Sequence, residues 1–160
     1  MSNFKRKGEK IKPPLHYAEC GLDDVYLLNG YEHYDYHGDV GLAIKDIHGL
    51  HRAVGLFLVT EKKALNGKEL RFLRKQLNLT QSELGAAMRL SSQQVARWEK
   101  SECDISGPAD IVLRVMFLNS LGVETTVKDL LNDLDQADDP IDDRIIFEAK
   151  RKTWRHKIAA

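Results

Sequence analysis

Residues 70–99 read LRFLRKQLNLTQSELGAAMRLSSQQVARWE, and this stretch restricts the fold of the chain more than any other. Leu70, Leu73, Leu77 and Leu79 line one helix, and Leu84, Ala87 and Met88 line the next. Thr80 followed by Glu83 three residues later is a capping-box signature. Ser91 supplies the hydroxyl that starts a further helix running to about Glu99. Only about three residues separate these last two helices, the length that a helix-turn-helix needs. On the second helix Gln93, Gln94 and Arg97 share one side, while Val95 and Trp98 face a core. Glutamine and arginine near the start of such a helix are the side chains that hydrogen-bond adenine and guanine edges in the major groove. The stretch therefore implies sequence-specific DNA recognition. The plainer alternative is a solvated helix face.

The net charge of zero over 160 residues argues at first against a nucleic-acid partner, but its distribution reverses the argument. Glu61 to Ser101 holds nine bases and four acids, an excess of +5. The first fourteen residues carry +4, Asp129 to Asp143 holds seven aspartates and no base, and Arg144 to Ala160 returns to +5. The positive field coincides with the helix-turn-helix, and local field governs phosphate attraction more than the total does. A hydrophobic content of 42% supports real cores. No apolar run approaches the length of about 20 residues that spans a bilayer. The basic N-terminus lacks an apolar signal segment, so the expectation is a cytoplasmic, nucleoid-associated protein with no membrane partner. Cys20 and Cys103 form no C-x-x-C pair and are expected as free thiols.

Four regions follow from the pattern. Residues 1–14 read as a flexible basic arm ending in Pro13-Pro14. Residues 15–64 read as short strands followed by a helix. Asn29-Gly30 predicts a hairpin between Val25–Leu28 and Tyr31–Tyr36. Asp46 caps a helix carrying Ile47, Leu50, Val54, Phe57 and Leu58, although Gly49 and Gly55 each weaken it by about 1 kcal/mol. Residues 65–136 form the DNA-binding domain. There Leu65-Asn66-Gly67 caps the first helix and Pro108 opens a helix bearing Ile111, Val112, Val115, Met116 and Leu118. Gly122 closes that helix, and a short last helix uses Leu130, Leu131 and Leu134. Residues 137–160 read as an acidic linker and a basic C-terminal segment, with 145–158 expected to be helical.

From Leu65 to Leu121 the chain resembles the XRE, or lambda-repressor-like, helix-turn-helix family. The shared pattern is Leu79, Gln81, Glu83, Leu84, then Ser91, Gln93, Val95, Arg97, Trp98 and Glu99. The resemblance implies an all-α five-helix lambda-repressor-like domain; with the small antiparallel β unit and packed helix read from residues 15–64, the expected fold class is α+β. The resemblance also implies base contacts by Gln93, Gln94 and Arg97 and phosphate contacts by Gln81 and Lys100; beside them Ser92, at the start of the same helix, and Arg89, on the turn, are candidates to face phosphate. Arg74 and Glu99 match a structural ion pair between the first and third helices of such domains. Gly85 stands where alanine is usual, and Arg89 where the turn usually has glycine. The partners expected are double-stranded DNA and a second copy of the chain, and the role that of a transcriptional (auto)repressor.

The overall order also resembles MqsA-type antitoxins, in which a β-containing domain and a linking helix precede the XRE domain. That likeness adds a toxin protein as partner. The family's zinc-binding C-x-x-C pairs are missing here, since only Cys20 stands in that stretch. His16, Cys20, His33 and His37 form an H-x3-C plus H-x3-H set that can converge on a metal, but spacing alone is weak evidence and no metal is assigned. His48 and His51 read as capping or hydrogen-bonding residues near a helix start. No nucleophile elbow, phosphate-binding loop or H-E-x-x-H is present. Neither enzymatic activity nor a cofactor is expected. The rival to DNA reading is a protein-interaction or toxin-neutralising module whose helix-turn-helix is only a scaffold.

Overall fold

The computed structural model describes residues 13–137 and 144–157. Most of the expected basic arm, and residues 138–143 of the expected acidic linker, lie outside the described residues. The described chain divides into two compact units, 13–53 with 144–157, and 54–137.

In the first unit, Leu15–His16 (β1) pairs antiparallel with Val25–Leu27 (β2). Val25 and Leu27 are buried and Tyr26 between them is half-buried, the period of two that a strand imposes. Asn29-Gly30 does not form the hairpin that the sequence predicts. The next strand, Tyr31–Tyr36 (β3), pairs instead with Asp39–Ile44 (β4) as a separate two-stranded sheet. Its two-residue turn is His37-Gly38, with φ of 51° and 91°, the doubly positive geometry that matches strand twist in a tight hairpin. The reason lies at the edges of β2, both of which are taken. One side holds β1. The other holds Ile145–Lys150 (β5), which runs parallel to β2 with Val25 beside Ile145 and Leu27 beside Phe147. Thr153–His156 (β6) returns antiparallel to β5, giving the order β1-β2-β5-β6.

Two expectations are corrected here. The larger sheet is mixed rather than antiparallel, and half of it follows the helical unit in sequence instead of preceding it. Residues 145–156, expected to be helical, alternate in burial as strands, with Ile145 and Phe147 buried and Ile146 half-buried. Parallel pairing needs a long crossover, and here that crossover is everything between β2 and β5. Leu15, Tyr17, Leu22, Val25, Leu27, Leu50, Ile145, Phe147 and Trp154 are buried in this unit. The Trp154 indole N–H donates to the Lys45 carbonyl at 2.8 Å.

Helix α1 (Ile47–Glu61) crosses the division between the units. Asp46 starts it by accepting from the Gly49 amide at 3.1 Å. In the second unit Val54, Leu58 and Val59 are buried. Five further helices follow: Gly67–Gln76 (α2), Gln81–Ala87 (α3), Ser92–Glu99 (α4), Gly107–Ser120 (α5) and Val127–Gln136 (α6). Each begins on a side-chain cap, Asn66, Thr80, Ser91, Ser106 and Thr126 in turn. Asn66 with Glu69 and Thr80 with Glu83 close reciprocal capping boxes, and each such cap contributes about 1 kcal/mol.

The face of α5 is a further correction. Ala109, Asp110, Leu113, Arg114, Phe117 and Leu118 are its buried residues. Ile111, Val115 and Met116 are half-buried, and Val112 is exposed. Arg114 turns the helix this way. Its guanidinium has no solvent exposure and pairs with Asp110 at 2.5 Å. It also donates to the carbonyls of Leu58 at 3.2 Å, Val59 at 3.1 Å and Lys63 at 3.3 Å. A cation thus meets the unsatisfied carbonyls and negative dipole end of α1. Asp110 uses its other oxygen to accept from the Leu65 amide at 3.0 Å. Among the described residues no helix is long and apolar enough to cross a membrane.

Candidate nucleic-acid interface

Helices α3 and α4 are joined by Met88–Ser91, and the tightness of that turn is set by backbone. The Leu90 amide reaches the Gly85 carbonyl at 2.7 Å, with Arg89 left-handed at φ 58°. A Cβ on Gly85 would lie 2.7 Å from the Leu90 carbonyl oxygen, so the turn passes too close for alanine. The departure from the family pattern at residue 85 thus has a steric cause. The departure at residue 89 does not relieve strain, because an arginine occupies a conformation that suits glycine.

A polar network holds α4 against α2 and α3. The Arg74 Nε lies 2.5 Å from Glu99 Oε1, a second guanidinium nitrogen donates to Oε2 at 3.2 Å, and a third bond goes to the Leu79 carbonyl at 2.8 Å. This fork-on-carboxylate contact is the strong form of the interaction, and the two side chains are only 11% and 6% exposed. The Gln81 amide donates to the same Glu99 carboxylate at 2.8 Å. Gln81 therefore spends its side chain inside the protein. What it offers to the outside is its position at the positive N-terminal end of α3.

The buried side of α4 consists of Val95 and Trp98, 0% and 4% exposed. The opposite side presents Ser92, Gln93 and Arg97, with Lys100 at the C-cap and Arg89 on the preceding turn; all five are exposed, and Gln94 is half-buried. Of the seven side chains expected at DNA, the structure thus gathers all but Gln81 on or beside one helix. Two further residues join them that the sequence reading does not single out. Glu102 lies 3.5 Å from the Arg97 Nε, and the Cys103 sulfur accepts from the Gln94 amide at 3.5 Å. They sit five and nine residues from their partners, separations that helical periodicity does not flag. Of the cations in this region, Lys62 pairs with Glu69 at 2.6 Å and Arg74 with Glu99.

His16, Cys20, His33 and His37 do not converge on one point. His16 Nε2 bonds the Asp23 carbonyl at 2.7 Å on β1. Burial pushes the Cys20 thiol up to about 11, and it donates to the Tyr17 carbonyl at 3.4 Å. His33 and His37 are exposed on the separate β3–β4 sheet. Among the described residues no group of three or more potential ligands is arranged to hold a metal ion. His48 is exposed, and His51 accepts or donates at 3.0 Å with the Tyr17 hydroxyl.

A helix-turn-helix family model matches residues 70–107, the span from α2 to the first residue of α5. The matched segment contains α3, α4 and the turn between them, the helix-turn-helix itself. No curated protein and no solved structure gives a match to the chain.

Proposed function

We propose that this chain, through the XRE-type helix-turn-helix of residues 70–107, is a sequence-specific transcriptional regulator that lays α4 in the major groove. The observation that carries the reading is the two-sided character of α4. Val95 and Trp98 are buried and Glu99 is locked to Arg74, so the helix cannot roll. Gln93 and Arg97 remain exposed on its outer side. Gln93, Gln94 and Arg97 then contact base edges, whereas Ser92, Lys100, Arg89 and the N-terminal end of α3 at Gln81 face phosphates. A homodimer on a two-fold operator, with half-sites about 10–10.5 bp apart, acting as a repressor of its own gene, completes the proposal.

The test is titration of the full chain against the DNA upstream of its own gene and against a random duplex, at several salt concentrations. Arg97→Ala and Gln93→Ala are expected to lose preference for the upstream sequence, each good base contact being worth about 1–3 kcal/mol. Lys100→Ala should weaken both duplexes alike and lower the salt slope by about one. Equal affinity for the two duplexes, unchanged by Arg97→Ala, would remove the DNA-reading role.

A second reading, toxin neutralisation, draws on the order of the two units and on Tyr34 and Tyr36, which are 53% and 69% exposed on β3. Exposed aromatic side chains are enriched at protein interfaces. Its test is whether the product of the adjacent reading frame binds the full chain and loses binding on Tyr34→Ser with Tyr36→Ser.

A further inference from the structure

We propose that Glu102 and Cys103, on the loop after α4, tune the reading face: Cys103 holds Gln94 in the orientation presented to duplex DNA, and Glu102 competes with DNA for Arg97. This rests on the DNA-reading role proposed above and adds two residues that touch no base. The backbone brings them there. Ser101 is left-handed at φ 57°. Its amide bonds the Trp98 carbonyl at 3.0 Å, and the Glu102 amide bonds the Arg97 carbonyl at 3.0 Å. The chain therefore folds back along the helix it has just left. A continuing helix would carry residues five and nine positions onward away from the face of their partners; the reversal sets Glu102 3.5 Å from the Arg97 Nε and Cys103 3.5 Å from the Gln94 amide nitrogen.

The two contacts do different things. The sulfur takes one amide hydrogen of the half-buried Gln94 and leaves the second hydrogen and the carbonyl oxygen for a base edge. Gln94 so arrives with its orientation set, whereas ordering a free side chain of this kind on binding costs a factor of about two to ten in affinity. Glu102 acts through charge. Arg97 and Glu102 are 56% and 51% exposed, so their pair is weak and exchangeable. A lone phosphate has to displace one carboxylate and then face its negative charge. A guanine edge also offers two acceptors matched to the guanidinium fork, as a phosphate does, but it is neutral and is repelled far less by the carboxylate beside it. Glu102 thereby penalises random DNA more than the preferred site.

The experiment selects duplexes from a randomised pool with the full chain and with Glu102→Gln, Cys103→Ala, Cys103→Ser and Gln94→Ala, followed by titration on the selected and a random duplex. Glu102→Gln should bind random DNA about threefold more tightly, with a lower ratio of selected to random affinity and an unchanged melting temperature. Cys103→Ala should broaden the preference at the base pairs that Gln94→Ala broadens. Cys103→Ser, whose hydroxyl accepts the same amide hydrogen, should keep it. Adding Cys103→Ala to Gln94→Ala should cause no further loss. Unchanged motif and ratio in Glu102→Gln and Cys103→Ala would overturn the proposal. So would matching losses in both Cys103 variants that follow a lowered melting temperature. Should Cys103→Ala not fold, Glu102→Gln at its exposed position still decides. A wild-type chain that enriches no motif fails the DNA-reading role itself, a result distinct from a motif that the loop variants leave untouched.

Discussion

A guanidinium without solvent exposure must find its hydrogen bonds inside the protein, and Arg114 finds them on Asp110 and three carbonyls between Leu58 and Lys63. Replacing one member of a buried ion pair strands the other. Arg114→Met should therefore destabilise by about 3–5 kcal/mol, read as a shift in the denaturant midpoint of the helical unit. Asp110→Asn combined with Arg114→Met should cost less than the sum of the two single changes; strict additivity would mean that the pair is not coupled. The same residue is why the buried face of α5 does not follow from its sequence. Ile111, Val112, Val115 and Met116 satisfy a helical period, and hydrophobicity has no means of placing an arginine in a core. Arg74 and Glu99, by contrast, were legible because they fall within a motif whose apolar and polar positions are both fixed. Their partner Gln81 was legible as a position but not as a contact.

Four of the helices end in one way, and their ends carry less information in sequence than their starts. The residues after the C-caps of α2, α3, α4 and α5 are Asn78, Arg89, Ser101 and Gly122, all with positive φ between 55° and 75°. In each case the next amide reaches the carbonyl five residues back, at 2.7 to 3.2 Å, the geometry of a Schellman motif. Gly122, and more weakly Asn78, announce it by composition; Arg89 and Ser101 do not. N-caps announce themselves better, because Thr80, Ser91 and Thr126 contribute hydroxyls that backbone amides need. Arg89→Gly should relieve left-handed strain and, against the extra freedom it gives the unfolded chain, stabilise by about 0.5–1 kcal/mol. It should also remove a cation from the turn beside α4 and lower the salt slope of DNA binding by about one. Thermal melting and a salt titration measure the two effects independently. A lowered melting temperature would mean that the arginine side chain packs favourably enough to outweigh its backbone. The Asn29-Gly30 hairpin failed for a related reason: turn chemistry is local, whereas the edge it would have used is filled by β5, which the sequence places some 120 residues away.

At the scale of the molecule, the first unit is interrupted by the second in sequence, and its stability should respond to conditions that leave the helical unit unmoved. Burial, and after it the charge of His48, holds His51 below its ordinary value of 6.5, while burial pushes Tyr17 up to about 12. The lowered histidine value means that the unfolded chain takes up this proton first. The stability associated with neutral His51 is complete above about pH 6.5 and is lost as pH falls through the folded value. The raised tyrosine value acts at the other extreme, complete below about pH 10 and lost as pH rises toward 12. Amide exchange of residues 13–53 should accelerate between pH 7 and 5 after correction for the intrinsic rate. His51→Gln, which still accepts from Tyr17 but does not titrate there, should flatten part of that slope. An identical slope in the variant would assign it to other histidines. Truncation after Ala137 is the larger perturbation. It removes β5, the strand that pairs with both β2 and β6, together with the buried Ile145, Phe147 and Trp154. Val25 and Leu27 would then lose their parallel partner, leaving a strand pair of two and three residues, which is too little to persist in water. The expected outcome is full loss of amide protection over β1 and β2 with protection of α2 to α5 retained. Loss across α2 to α5 as well would show that the helical unit depends on the sheet it interrupts.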